Sequence, residues 1–508
     1  MPESEDAEKK LSSSRVRPAP TTFFGTLREL GPGLIIAGAV VGSGELIATT
    51  AVGAEAGFYL LWLIIIGCVI KVFVQVELGR YVILTGKTTL QGIADLPGWK
   101  LRGVHWIVWF WLVVFAASTA QMGGIVGGVG QAMSIFAPIT AQGRAYNEAA
   151  EAEVKGQLAE VLAANEATAS ASFTPDPNPH PPTAELSAGI DVYFWAILIS
   201  IITAFILYRG KYGMIESTVS TLVALFTLVS ILNLVFLQAN PVWAVKPAEW
   251  WQGLQFRVPP PQEGLTPIAT ALATFGIIGV AAGELIFYPY WCLEKGYAAH
   301  IGPRDNSPEW NERARGWMKV LRWDAFASLI VYTFSTVCFY LLGASVLGRA
   351  GLEAEGMNMI RTLAAMYEPV FHEKAVGLFL LAASVILFST FFVTNASKAR
   401  VLTDALAIFG WRKRGKEGDR RWVRGLSIAL PLISCVIFLF IPKPKFLILM
   451  AGMMQSFLLP MIAFAAIWFR YHHTSPDLRP SKTWDILLWI SGAGLLIAGV
   501  WMALSKIL

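Results

Sequence analysis

Two copies of one tetrapeptide, Gly-Glu-Leu-Ile, occur at residues 44–47 and 283–286, each inside an otherwise apolar stretch. A carboxylate at bilayer depth costs about 2.5–3.5 kcal/mol on insertion scales, so it is kept only where it faces a polar interior or a partner. Glu45 and Glu284 are therefore candidate cation ligands. The first copy follows Gly42 and Ser43, and Gly42-Ser43-Gly44 is a weak helical stretch. If it unwinds, the freed carbonyls and amides are tolerable in a membrane only where they line a cavity or coordinate something. Gly283 puts the second carboxylate in the same setting. The plainer reading is that the glycines allow close helix packing and the glutamates bond neighbouring helices. Two matched copies at related positions are hard to produce by packing alone.

Other polar residues at apparent membrane depth extend the list. Thr394, Asn395 and Gln455 lie in apolar stretches, where each alone is more often a helix–helix hydrogen bond than a ligand. Lys71 sits within GCVIKVFVQVELGRY, too deep to snorkel easily. It is either a counter-ion to Glu45 or Glu284 or a structural partner of an acid such as Glu77 or Asp324. Two carboxylates and one ammonium leave one net negative charge, which favours an organic cation or a zwitterion over a bare divalent ion. Glu77, Glu216 and Lys71 are the groups through which an ion-coupling path would have to run.

These residues need helices to hold them, and the composition supplies lipid-facing ones. Of 508 residues 55% are hydrophobic and only 15% charged, against about 25% charged in an ordinary soluble chain. Eleven apolar stretches are each long enough to cross a hydrocarbon core: about 31–57, 58–82, 104–136, 190–208, 213–239, 266–294, 318–348, 375–403, 425–442, 446–470 and 484–505. The two tetrapeptides fall in the first and the sixth. An offset of five spans makes the second copy cross in the opposite sense, as inverted-topology repeats do.

The boundaries that follow are a disordered cytoplasmic tail over 1–25, a first repeat over 26–240, a second over 241–470, and a cytoplasmic loop with a final span over 471–508. Within the first repeat, 137–189 form an extracytoplasmic insertion that runs from an Ala/Glu-rich helical segment into a proline-rich one. A solvated insertion is favoured over a lid. Lys and Arg are concentrated, roughly three to one, on the tail and the even-numbered connections, which places the N-terminus in the cytoplasm and the C-terminus outside the cell membrane. The basic run at 411–425 reads as an orientation signal near anionic headgroups, with no nucleic acid as partner. Trp106, Trp109 and Trp484 fit an interfacial belt. The four cysteines are unpaired in apolar spans, no histidine lies at membrane depth, and no nucleophile elbow, HExxH or phosphate loop occurs. An enzyme is not expected, nor a cofactor beyond a transported cation.

Together GPGL at 31–34, GAEAGFYLLW at 53–62, the Q…LG…TGK pattern from Gln75 to Lys87 and QSFLLP at 455–460 resemble the Nramp family of divalent-metal transporters. GMIE around Glu216 and ASKARVLTDAL at 396–406 are looser matches. The resemblance implies an all-α membrane protein with the LeuT-type 5+5 inverted repeat, about 11 transmembrane helices, and helices 1 and 6 broken at the midplane. It also implies a site in which Gln455 reaches the ion beside Glu45 and Glu284. The departures fall at the chemistry. The family's Asp-Pro-Gly-Asn is Gly42-Ser43-Gly44-Glu45 here, and its Met-Pro-His-Asn region is Ala282-Gly283-Glu284-Leu285. Without the soft thioether, an oxygen site suits a harder cation such as magnesium. Acidic residues on the family's proton route are Gln121 and Gly124 here. The expected function is a secondary transporter of a divalent metal ion; a transporter of a small organic amine or amino acid, or a membrane sensor that does not translocate, are the alternatives.

The topology is directly testable. Tags placed in 137–189 should react with impermeant reagent on intact cells, while tags in 411–425 should not; the reverse labelling would invert the repeat assignment.

Overall fold

The computed structural model describes residues 16–167, 189–209, 212–260, 266–305, 307–371 and 375–505. Apart from one antiparallel pair of two-residue strands at Lys100–Leu101 and Val104–His105, its regular structure is helical. Among the described residues nine helices are long and apolar enough to cross a membrane. Two further spans complete the expected eleven. One is the helix Tyr212–Leu237, and the other is an apolar segment split into two half-helices too short to qualify singly.

The first span is itself divided. Helix α1 (Pro32–Val40) gives way at Val41 and Gly42 to a π-helical turn over Ser43–Thr49, which runs on into α2 (Thr50–Ala56). The second span is α3 (Leu61–Val69) followed by α4 (Lys71–Thr85), and the third is α5 (Trp106–Phe136). A helix outside the membrane set, α6 (Ala141–Ala167), precedes α7 (Asp191–Arg209) and α8 (Tyr212–Leu237). The sixth span is α9 (Pro267–Phe275) and α10 (Ala282–Lys295), separated by six non-helical residues. Then come α11 (Pro308–Leu342), α12 (Ala375–Ile408), α13 (Lys416–Phe440), α14 (Pro444–His472) and α15 (Lys482–Leu504). This is the inverted repeat of five and five helices with one more at the end, broken at the first and sixth spans as the tetrapeptides indicated.

Small residues set how closely the helices approach. On α5, a Cβ at Gly123 would stand 2.8 Å from the Ser434 carbonyl of α13, and one at Gly124 would stand 2.7 Å from the Pro444 carbonyl of α14. Contacts this close replace the hydrophobic drive that lipid does not provide between helices.

The entry to α1 explains GPGL. A helix start leaves amides without partners, and proline at the first position removes one of them. Asp324 of α11, buried at 1% exposure, takes two others: Gly31 N–H donates to Oδ1 at 2.9 Å and Gly33 N–H to Oδ2 at 2.6 Å. Tyr288 of α10 donates to the same carboxylate at 3.0 Å. Asp324 thus ties the first, sixth and seventh spans.

Several expectations change. Asp324 and Glu77 do not partner Lys71. Glu77 accepts from Arg80 at 3.0 Å and from the Trp484 indole at 2.7 Å, so Trp484 is a buried strut between α15 and α4. The first half of the insertion is docked: Tyr146 donates to Asn358 at 2.6 Å, and Glu151 pairs with Arg361 at 3.1 Å. Glu216 lies on α8, but its side chain is outside the described residues.

Asp324→Ala would strand two buried amides, a loss of about 2–3 kcal/mol at the least, while Asp324→Asn keeps one acceptor and should cost less. Thermal unfolding of the purified variants in detergent should rank wild type, then Asn, then Ala. Equal melting temperatures for wild type and Ala would show that Asp324 does not hold α1.

Candidate functional site

Why the chain breaks where it does is visible atom by atom. At Gly44 a Cβ would lie 2.7 Å from the Ile277 carbonyl, so the π-helical turn of the first span and the non-helical segment of the sixth touch backbone to backbone. Gly279 has φ +56, a left-handed conformation that glycine adopts without strain and that turns the chain out of α9. Its amide, which would otherwise close a helical turn on Phe275, instead donates to Glu45 Oε1 at 3.1 Å. Glu45 is fully buried; the Thr336 hydroxyl of α11 lies 3.3 Å from Oε1, and Oε2 has no hydrogen-bond partner among the described residues.

A second link joins the breaks through amide side chains. Gly283 N–H donates to Gln455 Oε1 of α14 at 3.1 Å, Gln455 Nε2 donates to Gln121 Oε1 of α5 at 2.9 Å, and Gln121 Nε2 donates to Ser43 Oγ at 3.2 Å. The relay runs from the start of α10 through two scaffold helices to the turn at Ser43. Gln121 is therefore a structural member of the centre, a role the sequence reading missed when it registered only that glutamine does not titrate.

The two carboxylates are placed alike and held differently. Each occupies the first turn of the half-helix that follows its break, Glu45 in Ser43–Thr49 and Glu284 in α10. Glu284 keeps some exposure, whereas Glu45 has none. Lys71 Nζ donates to the carbonyls of Phe275 and Ile278, the latter at 2.7 Å, and stands within electrostatic reach of both glutamates. A second buried ammonium escaped the sequence reading. Lys398 of α12 donates to Ser118 Oγ of α5 at 2.6 Å and interacts electrostatically with Glu284. The signal that singled out Lys71, a lysine inside an apolar span, was present there too. Two glutamates and two lysines make the centre formally neutral. Cys68, fully buried, packs against Gly279.

Of the α12 candidates, Thr394 is 2% exposed with Oγ1 unpartnered among the described residues, one helical turn beyond Thr390, whose Oγ1 abuts Gly42. Asn395 donates its amide to the Phe391 carbonyl of its own helix at 2.7 Å. Among the described residues, no cluster of three or more His, Cys, Asp or Glu side chains is placed to hold a metal ion.

A vestibule of about 850 Å³, lined among others by Glu55, Thr270, Ala273, Glu355, Lys445 and Met453, descends along α9 and α14 and stops above the break. At its mouth Lys445 bridges Glu55 at 3.0 Å and Glu355 at 2.9 Å. At the other end of the bundle Asp404 of α12 clasps Thr88 at 2.5 Å, Tyr290 of α10 at 2.6 Å and Arg414 at 2.9 Å.

Broken first and sixth spans meeting around buried polar groups define a LeuT-type membrane transporter fold. The chain belongs to the Nramp family, whose model (natural resistance-associated macrophage protein-like) matches residues 183–505, well over half of it. No curated protein matches the sequence. A manganese transporter from Eremococcus coleocola has a similar structure at 14% identity and TM-score 0.62, covering 95% of this chain and 88% of that one. The same transporter in complex with an aromatic bis-isothiourea substituted compound matches at TM-score 0.60, with the same identity and coverage. MhsT in complex with L-phenylalanine matches at 15% identity and TM-score 0.50, covering 95% of this chain and 99% of that one. At these identities the likeness concerns the fold.

If the amide relay holds the breaks in register, Gln121→Leu and Gln455→Leu should each weaken substrate binding about tenfold, roughly 1.4 kcal/mol. The double variant should cost much less than the sum, because one connection is lost in either case. Titration calorimetry on the four proteins measures this, and simple additivity would show the two amides to be independent.

Proposed function

We propose that the chain is a secondary transporter that moves a divalent metal cation across the membrane by alternating access, with Glu45, Glu284 and Gln455 among the residues that meet the ion. The observation that carries this reading is the position of the carboxylates. The start of a half-helix presents free amides and a partial positive charge, and so attracts anions. Here both such starts hold a carboxylate of the chain itself, and the centre then offers oxygen to a cation. Family membership supports a metal cargo, as does the fold shared with a protein described as a manganese transporter.

The finer reading is a hard-ion preference. Apart from the Cys68 thiol beside Gly279, the groups around the breaks that could accept a metal ion are carboxylate, hydroxyl, amide and carbonyl oxygens, a set that suits magnesium or manganese better than soft metals. Magnesium retains part of its water shell, which lessens the number of protein ligands it needs. A vestibule on one side of the breaks and the Asp404 clasp on the other fit one state of an alternating-access cycle. With the positive-inside orientation, the vestibule faces out of the cell. Domain limits of 26–240 and 241–470 for the two repeats follow from the same scheme.

One observation favours a second cargo. Lys71 and Lys398 cancel the formal charges of the two glutamates, and a centre without net charge suits a zwitterion such as an amino acid better than a bare divalent ion. Uptake into liposomes separates these readings, and also separates transport from sensing. Magnesium or manganese should enter, amino acids should not, and Glu45→Gln and Glu284→Gln should each reduce entry at least about tenfold while the protein still purifies. Little obligatory proton movement should accompany entry, since Gln121 and Gly124 offer no titratable relay along α5. Unchanged metal uptake in both variants would remove the carboxylates from the site. Amino-acid uptake alone would replace the metal with the second cargo.

A further inference from the structure

The end of α9 is chemically the reverse of the start of α10. A helix end leaves carbonyls without amide partners and carries a partial negative charge. In transporters built on broken helices, such unwound carbonyls are where a small monovalent coupling cation is held. The carbonyls freed here are those of Phe275 and Ile278. Gly279 N–H has turned to Glu45, and Ala282 N–H to Gly276. Both carbonyls are directed at one point, and at that point lies the Lys71 ammonium.

The surroundings of that point are those of a cation site. Lys71 is fully buried, with Nζ 4.8 Å from the Phe275 ring centroid. It has electrostatic contact with Glu45 and Glu284, yet among the described residues it forms no ion pair within 4.0 Å. A lysine whose task was to neutralise a glutamate would sit on the carboxylate. This one sits on two main-chain oxygens, with the nearby carboxylates as outer charge. Its chain enters from the start of α4, in the same repeat as the first break and the opposite repeat from the carbonyls it caps.

We propose that the break in the sixth span is a binding site for a small monovalent cation, formed by the Phe275 and Ile278 carbonyls with Glu45 nearby, and that Lys71 fills it as a tethered ammonium. The wild-type protein then needs no dissolved cation at this position, because its own is covalently attached. Removing the amine opens the site to sodium or to a primary alkylammonium, while choline is too large to enter. This does not depend on the identity of the cargo.

The test compares purified wild type, Lys71→Ala and Lys71→Met by thermal unfolding in about 100 mM sodium, methylammonium or choline chloride. Wild type should melt identically in all three. Lys71→Ala should melt lowest in choline and recover in sodium or methylammonium by about 1–2 °C, the shift for a ligand at ten times its Kd in a chain of this length. Methylammonium alone restoring it would mark the site as one for an N–H donor, and sodium alone would mark an inorganic ion site. Lys71→Met, which fills the space with apolar atoms, should show no cation effect, and neither should Glu45→Gln/Lys71→Ala. If Lys71→Ala does not fold, Lys71→Ser carries the same comparison. The proposal fails if the alanine or serine variant melts equally in all three salts, if the methionine variant responds as strongly, or if wild type itself depends on sodium. Because the readout is stability without cargo, failure here leaves the transport reading standing, and failure of metal uptake leaves this one standing.

Discussion

A helix interrupted inside a bilayer exposes main-chain amides and carbonyls that water cannot satisfy, and each one left alone costs several kcal/mol. The rest of this structure is arranged around that constraint. The amides of Gly279 and Gly283 are taken by Glu45 and Gln455, and the carbonyls of Phe275 and Ile278 by Lys71. Each of these partners comes from a helix other than the one it satisfies. The breaks therefore do not simply tolerate their neighbours; they specify which residues α4, α5 and α14 must present at mid-bundle, and they hold the two repeats in register.

Charge follows from the same constraint. The starts of the two half-helices carry carboxylates and the end of α9 carries an ammonium, so these three partial charges of the broken backbone meet their opposites within the chain. Lys398, anchored on Ser118 beside Glu284, brings the formal sum to zero. On the proposed reading, a cation that enters competes with the ammonium groups already present, so the displacement of a lysine, and not only the number of ligand oxygens, helps set what binds. The contrast between Glu45, fully buried with Oε2 unpartnered among the described residues, and Glu284, partly exposed, indicates that the two carboxylates are not equivalent partners in that competition.

Closure at the two ends is built from a different material. Around the Asp404 clasp and the Lys445 bridge, the bonds are between side chains near the ends of the bundle. Within them Asp404, Tyr290, Lys445 and Glu55 are buried, while Arg414 and Glu355 reach solvent, so only the outer arm of each contact is of the exposed kind that is worth little individually.

Sequence alone determined the membrane class, the spans and the inverted repeat, because hydrophobic length and a tetrapeptide repeated five spans apart are local facts that lipid forces to be legible. It also determined that Glu45 and Glu284 sit at equivalent breaks. What it could not determine is partnership. Gln121 and Gln455 are 334 residues apart, and nothing in either helix states that their amides meet. The depth of Lys71 suggests an acid as its partner, whereas its hydrogen bonds go to two carbonyls, groups that every residue carries and no sequence distinguishes. The type of Trp484 suggests the interface, and it does not name Glu77 as the partner of its indole. These choices depend on which helix face meets which, and that is set by the close contacts of glycines such as Gly44 on Ile277 and Gly124 on Pro444. Only the folded bundle brings those surfaces together.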